Sequence, residues 1–374
     1  MRTTSLRLAA ACFAALAVAV TLAVAPVTAV TACGASIVPP TGAPGDLLLG
    51  VTGEPGRAVA VGIHFDGGSG RPLVLRQVDE QWQRVMIPIR SGAGTIQLQD
   101  AVVDGDRTWA VGVLRNDVPM AGWLQRDRWH WSTPVDPGGT EDELLGVTVA
   151  ADGTIWAVGK HQQGHDYQPL IERFDGTSWT IVASPQVPGS AVLKDIAVAP
   201  DGTMWAVGWS VHAQGLTKVL IERWDGSAWT IAPDTGPGLL SGVAVDDEGG
   251  ATAVGWRTAQ ALDRPIAWRW SAGAWAPLTP PAPSGRLTSV IASEGAVIAV
   301  GTVNDATGRP QPLLVHAAGA SWTSIAPSTD ASLLPPDPGG DVLASVTGTA
   351  ERYLAVGTRD TPEPFGSLVV DGAC

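Results

Sequence analysis

The phrase Ala-Val-Gly recurs seven times, ending at Gly62, Gly112, Gly159, Gly208, Gly255, Gly301 and Gly357. The steps between these glycines are 50, 47, 49, 47, 46 and 56 residues. Self-similarity at a step of roughly 50 residues means an array of supersecondary units, because one unit cannot bury its apolar faces alone.

The copy from Leu144 to Pro185 shows what one unit contains. Leu145, Val147 and Val149 alternate with smaller or polar residues, which is a strand pattern. Asp152-Gly153 is a tight-turn pair. Ile155 to Gly159 is a short apolar run suited to a strand covered on both faces. A polar loop from Lys160 to Gln168 precedes a third strand, Leu170-Ile171-Glu172-Arg173-Phe174. Asp175-Gly176 turns the chain into a fourth strand at Trp179, and Pro185 stops it. Four short antiparallel strands per unit make one blade, so the chain reads as all-β, a single seven-bladed β-propeller. Trp82, Trp129, Trp179, Trp229, Trp275 and Trp322 mark six fourth strands. A periodic apolar position is a core position, so these rings are expected between blades.

The seventh unit stops at Asp371-Gly372-Ala373-Cys374, before a fourth strand. The segment from Cys33 to Pro40 resembles the fourth strand near Trp322, so the N-terminal strand is expected to close the last blade. Closure of this kind leaves no open sheet edge at the seam. It also brings Cys33 beside Cys374, and a disulfide between them is expected.

Arg2 and Arg7 precede an uncharged stretch rich in alanine, valine and leucine, with small-residue cleavage patterns ending at Ala29 and Ala32. Residues 1–32 read as a secretory signal peptide and residues 33–374 as the propeller. Val30-Thr31-Ala32-Cys33 also fits a lipoprotein box, so two readings stand: a secreted or extracytoplasmic protein with a Cys33–Cys374 bond, or a lipoprotein anchored to the membrane through Cys33. Residues 33–374 carry 21 basic and 36 acidic side chains, a formal charge of −15. That balance argues against nucleic acid and anionic membrane surfaces as partners.

An apolar second strand ending in glycine, a loop, a third strand with an aromatic and a tryptophan on the fourth strand together resemble the kelch repeat. The usual double glycine is missing, since Lys160, Trp209 and Val113 follow Gly159, Gly208 and Gly112. The phrases Trp-Ala-Val-Gly and Leu-Ile-Glu-Arg-Trp-Asp-Gly look like secreted propeller repeats of actinobacteria. The resemblance implies fold and export; it does not imply an activity. Kelch-type propellers include a copper radical oxidase, but that chemistry needs a tyrosine–histidine–cysteine ligand set. This chain has only Tyr167 and Tyr353, and no cysteine is free near them.

Short Asp-Gly turns define one face of the ring, and longer second-to-third loops define the other. Binding groups concentrate on variable loops set on a rigid frame. The expected ligand site is therefore the long-loop rim at His161, His165, Tyr167, Trp209, His212 and Trp256. His161 and His165 have ligand-like spacing, but a metal needs three or four convergent groups, and none is assigned. The acidic run Glu141-Asp142-Glu143 offers carboxylate oxygens of the kind that hold calcium, but such a run is more often a solvated loop, and that is the reading taken. No nucleophile elbow, phosphate loop or dinucleotide fingerprint stands in a convincing context, and no cofactor is expected. Two classes remain: a non-catalytic binding or scaffold protein for a glycan or extracellular protein, expected as a monomer, and an extracellular hydrolase or lyase acting at the channel mouth.

Overall fold

Twenty-eight strands form seven four-stranded antiparallel sheets. The structure, a computed structural model, describes residues 33–38, 43–89, 94–114, 118–211, 215–233, 236–293, 295–319, 321–328, 340–359 and 366–374. Blades I to VI occupy residues 46–84, 96–132, 143–181, 190–231, 239–278 and 286–325, and their strands pair in sequence order. In each blade the first strand touches the first strands of both neighbours, and blade VII returns to blade I. The first strands therefore form the wall of a central channel, and the unit from Cys33 to Cys374 is a seven-bladed propeller. Among the described residues there is no helix.

Blade VII is built from both ends of that unit. Its strands Asp341–Gly348, Arg352–Arg359 and Gly366–Ala373 are completed by Gly34–Val38. The register runs from Gly34 opposite Ala373 to Val38 opposite Val369. Cys33 is bonded to Cys374, with Cα atoms 4.0 Å apart and a sequence separation of 341 residues.

Among the described residues, seven apolar clusters fill the seven blade interfaces. Fourth-strand tryptophans carry much of this packing. Trp179 of blade III lies with Trp109 and Ala121 of blade II. Trp229 of blade IV lies with Trp156 and Val158 of blade III, and Trp275 of blade V lies against Trp205 of blade IV. At the closing interface no tryptophan occupies this place; Ala35, Ile37 and Tyr353 fill it, with the cystine alongside.

A repeated irregularity shapes the channel wall. Every first strand bulges where its register shifts, leaving Leu49, Gln99, Leu145, Lys194, Ser241, Thr288 and Ala344 unpaired. The next residue alternates between glycine and a polar side chain around the ring. Gly50, Gly146 and Gly242 let the following blade approach closely: a Cβ there would lie 2.9, 2.8 and 3.0 Å from the Cα of Asp100, Asp195 and Ser289. Those polar residues reach onward to the blade after. Asp100 accepts the Val147 N–H at 3.0 Å, Asp195 that of Val243 at 2.8 Å, and Ser289 that of Val346 at 3.3 Å. An odd ring cannot alternate throughout. The pattern fails between blades VI and VII, where Ser345 follows Ser289 and bonds Val51 N at 3.2 Å.

Two third-strand glutamates fasten the loops that leave the preceding blades. Glu172 is fully buried, and one of its oxygens accepts the Val135 N–H at 2.8 Å while the other has no partner. Glu222, equally buried, accepts from Ser184 Oγ at 3.0 Å. Burial raises both carboxyls to about 7. The native state thus holds protons that the unfolded chain releases from its ordinary carboxyl value of 4.5 upward. Stability is full below that value and falls as pH rises through about 7. Glu222→Gln keeps the acceptor and removes the ionisation. Urea unfolding should find it more stable than wild type by about 2–3 kcal/mol above pH 8 and little changed near pH 4. Equal gains at both pH values would contradict a buried neutral carboxyl.

Candidate binding site

The second-to-third hairpins and the starts of the first strands share one face. There, buried aspartates at the start of first strands hold cationic or imidazole groups on the second strands and, in blade I, an arginine at the end of the fourth. Asp46 meets His64 Nδ1 at 2.7 Å and Arg84 at 2.6 Å. Asp142 meets His161 Nδ1 at 3.0 Å, and Asp341 meets Arg359 at 3.2 Å. Asp142 also accepts the N–H groups of Gly139 and Gln162 at 2.7 and 2.9 Å. It is fully buried, which corrects the expectation that residues 141–143 form a solvated run: the middle carboxylate is the cap of a turn, and its flanking glutamates are half-buried.

Those two glutamates belong to a cluster on blade III. Lys160 Nζ lies 3.2 Å from Glu141, 3.6 Å from Glu143 and 4.4 Å from the centre of the Tyr167 ring. The Tyr167 hydroxyl donates to Glu141, and these two donors hold the Glu141 carboxyl below its usual range. Ser190, at the start of blade IV, donates to Asp166 at 2.9 Å and accepts the Tyr167 N–H at 3.2 Å. Tyr167 is therefore clamped from both ends, while the half-buried ring still borders solvent.

Trp209 and Trp256 follow the glycines of blades IV and V, as Lys160 follows that of blade III. All three occupy one position on consecutive blades. Trp209 is half-buried. Trp256 lies under the Arg286 guanidinium at 5.1 Å, and Arg286 is held by Asp263 at 2.5 Å. His165 is exposed at the tip of its hairpin, whereas His161 is turned inward to Asp142, so their spacing does not make a shared ligand set. His212 lies outside the described residues. Among the described residues, the group with metal-ligand geometry is Cys33, His316 and Cys374, and its two sulfurs are already joined to each other.

Beyond Trp256 the same face carries two cavities that share a proline wall, Pro281 to Pro283. One, of about 440 Å³, is bordered by Arg257, Arg264, Pro265 and Trp268. The other, of about 580 Å³, is bordered by Pro312, Leu313 and Ile37. Together they make a groove along blades V and VI. The channel wall adds a polar pair absent from the expected site, Asp100 and Asp195. Burial, and then the charge of Asp195, pushes the Asp100 carboxyl up to about 8; burial pushes that of Asp195 up to about 6. Their sequence contexts, Gln-Asp-Ala and Lys-Asp-Ile, carry no signal that separates them from other strand carboxylates.

No protein-family model and no curated protein matches the chain. Solved structures do. A structure described as YCF48 bound to D1 peptide is 13% identical, with 91% of this chain and 94% of that chain covered and a TM-score of 0.56. A protein of unknown function from Dyadobacter fermentans is also 13% identical, with 91% and 99% covered and a TM-score of 0.52. At these identities the likeness is one of architecture, and it agrees with the strand topology: this chain has the seven-bladed β-propeller fold.

Proposed function

We propose that the protein is an exported bacterial propeller that binds a polypeptide or glycan partner at the cell surface, without turning it over, on the long-loop rim of blades III to V. The observation that carries this reading is the run of Tyr167, Trp209 and Trp256 along one rim, with Tyr167 and Trp256 set among paired charges and a proline-walled groove beginning at Arg257, next to Trp256. Rigid aromatics offer contact area at little entropic cost, and the fixed ion pairs supply hydrogen-bonding groups that need no reorganisation. An extended polypeptide fits the groove best; the structurally similar YCF48 is described with a bound peptide. His161, His165 and His212 belong to the same proposed rim.

Export through residues 1–32 is supported by a cystine, which persists in oxidising compartments. The same bond uses the Cys33 sulfur and so favours the secreted form over the lipid-anchored one. The formal charge of −15 on residues 33–374 speaks against nucleic acid. No helix among the described residues is long and apolar enough to cross a membrane.

The test compares wild type with a Trp209→Ala/Trp256→Ala double variant in pull-downs from cell-envelope extract and on a glycan array. Loss of about tenfold or more in affinity is expected for the recovered ligand, as for interface aromatics generally. Equal binding by both proteins would remove these residues from the site, and hydrolysis of any arrayed sugar would favour an enzyme.

A further inference from the structure

The second residue after the recurrent glycine stands opposite the start of the first strand. Blades I, III and VII fill both places with an ionisable pair: His64 with Asp46, His161 with Asp142 and Arg359 with Asp341. In blade V the same two places hold Arg257 and Gly238. Gly238 takes a φ of +133°, and a Cβ there would lie 2.8 Å from Ile266 Cδ1 and 3.2 Å from the Arg257 Cβ. No carboxylate of this chain can stand in that place. Arg257 is exposed, and among the described residues it makes no hydrogen bond and no ion pair.

Blade V then adds a second cation. Arg264, on the third strand, is the direct partner of Arg257 across the hairpin. Directly opposed residues point to one face with Cβ atoms about 5 Å apart, and like charges so placed repel. Arg264 is half-buried, and among the described residues its hydrogen bond is a long one, Nη1 to the Pro283 carbonyl at 3.5 Å. Its neighbour Asp263 points to the opposite face, where Arg286 at 2.5 Å and Thr258 at 2.7 Å engage it. Both arginines border the cavity of about 440 Å³, between Pro237 and the wall from Pro280 to Pro283. Past that wall the groove continues into the apolar cavity bordered by Leu313, Ile325 and Ile37.

On the reading that a polypeptide partner docks on this rim, we propose that Arg257 and Arg264 form a carboxylate clamp. It receives one aspartate or glutamate side chain of an extended partner chain lying in the proline-walled groove. The partner's carboxylate does for Arg257 what Asp46, Asp142 and Asp341 do for the other blades. A guanidinium presents paired N–H donors that match a carboxylate, and an anion between the two arginines removes their repulsion. The formal charge of −15 on residues 33–374 selects a single acid. An acidic run, or a phosphate with its larger charge, is repelled by the rest of the surface. The adjoining apolar cavity takes a proline or leucine from the same partner.

The experiment titrates the intact protein into labelled peptides rich in proline and leucine, capped at both ends and differing at one residue, glutamate or glutamine. Fluorescence polarisation reads the binding. Wild type should prefer the glutamate peptide by about tenfold, and the preference should shrink as salt is added. An Arg257→Gln/Arg264→Gln variant should bind both peptides alike. Its melting temperature should not fall, because a like-charge pair is removed. Absence of the glutamate preference in wild type, or its survival in the variant, would overturn the clamp. So would tighter binding of a phosphoserine peptide, or of one whose sole carboxylate is a free C-terminus. A partner recovered from cell-envelope extract separates the clamp from the rim. If the Trp209→Ala/Trp256→Ala variant loses that partner and the arginine variant keeps it at full affinity, the rim stands and the clamp falls.

Discussion

Gly208→Ala should destabilise the propeller by about 3 kcal/mol or more, while Gly366→Ala should change its stability little. The difference lies in what each new methyl would meet. A Cβ on Gly208 would stand 1.9 Å from the carbonyl oxygen of Val192 on the adjoining first strand. The clash recurs at all seven copies, with Gly62, Gly112, Gly159, Gly255, Gly301 and Gly357 each 1.9–2.0 Å from the corresponding oxygen. The obstacle is backbone, so no side-chain rotamer relieves it. It sits beside the register shift between Leu193 and Asp195, where the first strand bends toward the second. Relief would require flattening the bulge, and with it the contact that places Asp195 against Val243. Gly366 has nothing within 4 Å of its Cβ position and no left-handed φ. Urea titration of the two variants gives the comparison. A Gly208→Ala protein within about 0.5 kcal/mol of wild type would mean that the recurrent glycine marks something other than close approach.

This is also the point at which sequence and structure meet most directly. Ala-Val-Gly was legible because each of its residues has a reason that repeats with the blade: alanine and valine are fully buried in blade interfaces, and glycine admits the carbonyl of the adjoining first strand. The fourth-strand tryptophans were legible for the same reason. The closing strand was legible because Cys33 to Ile37 keeps the spacing of a fourth strand even without its tryptophan. The polar elements were harder to read. Asp142 looks like its neighbours Glu141 and Glu143, and only the turn at Gly139 draws it inward. Glu172 and Glu222 sit in a third-strand pattern where alternation suggests a solvated face, yet the loop leaving the previous blade covers them. Asp100 and Asp195 owe their partners to strand bulges and to blades far away in sequence. Such placements follow from ring geometry, which local pattern does not encode.

Opening the Cys33–Cys374 bond should cost about 5 kcal/mol, because it frees a loop of 341 residues in the unfolded chain. The loss falls on the seam of the ring. Without the bond, Gly34–Val38 is retained by a five-residue ladder on one side. On the other, among the described residues, the backbone bonds are those of Ser328, which donates to Ala35 O at 2.7 Å and accepts from Ile37 N at 3.2 Å. Blade VII would then lose its outer strand before the other blades loosen. A Cys374→Ser variant, or wild type in a phosphine reductant, should melt well below the oxidised protein, and hydrogen exchange should rise first at Gly34–Val38. A melting temperature unmoved by reduction would contradict this account of closure. Recovery of a lipid-modified Cys33 peptide would do so as well, since a lipidated sulfur cannot bridge to Cys374.

The central claim is that the long-loop rim, not the Asp-Gly face, is the working surface. Hydrogen exchange of the protein with and without its recovered ligand tests it most directly. The account predicts slowed exchange in residues 160–168, at Trp209 and in residues 256–266, with the turns at Asp152-Gly153 and Asp201-Gly202 unchanged. Protection confined to those turns, with the rim unaffected, would contradict it.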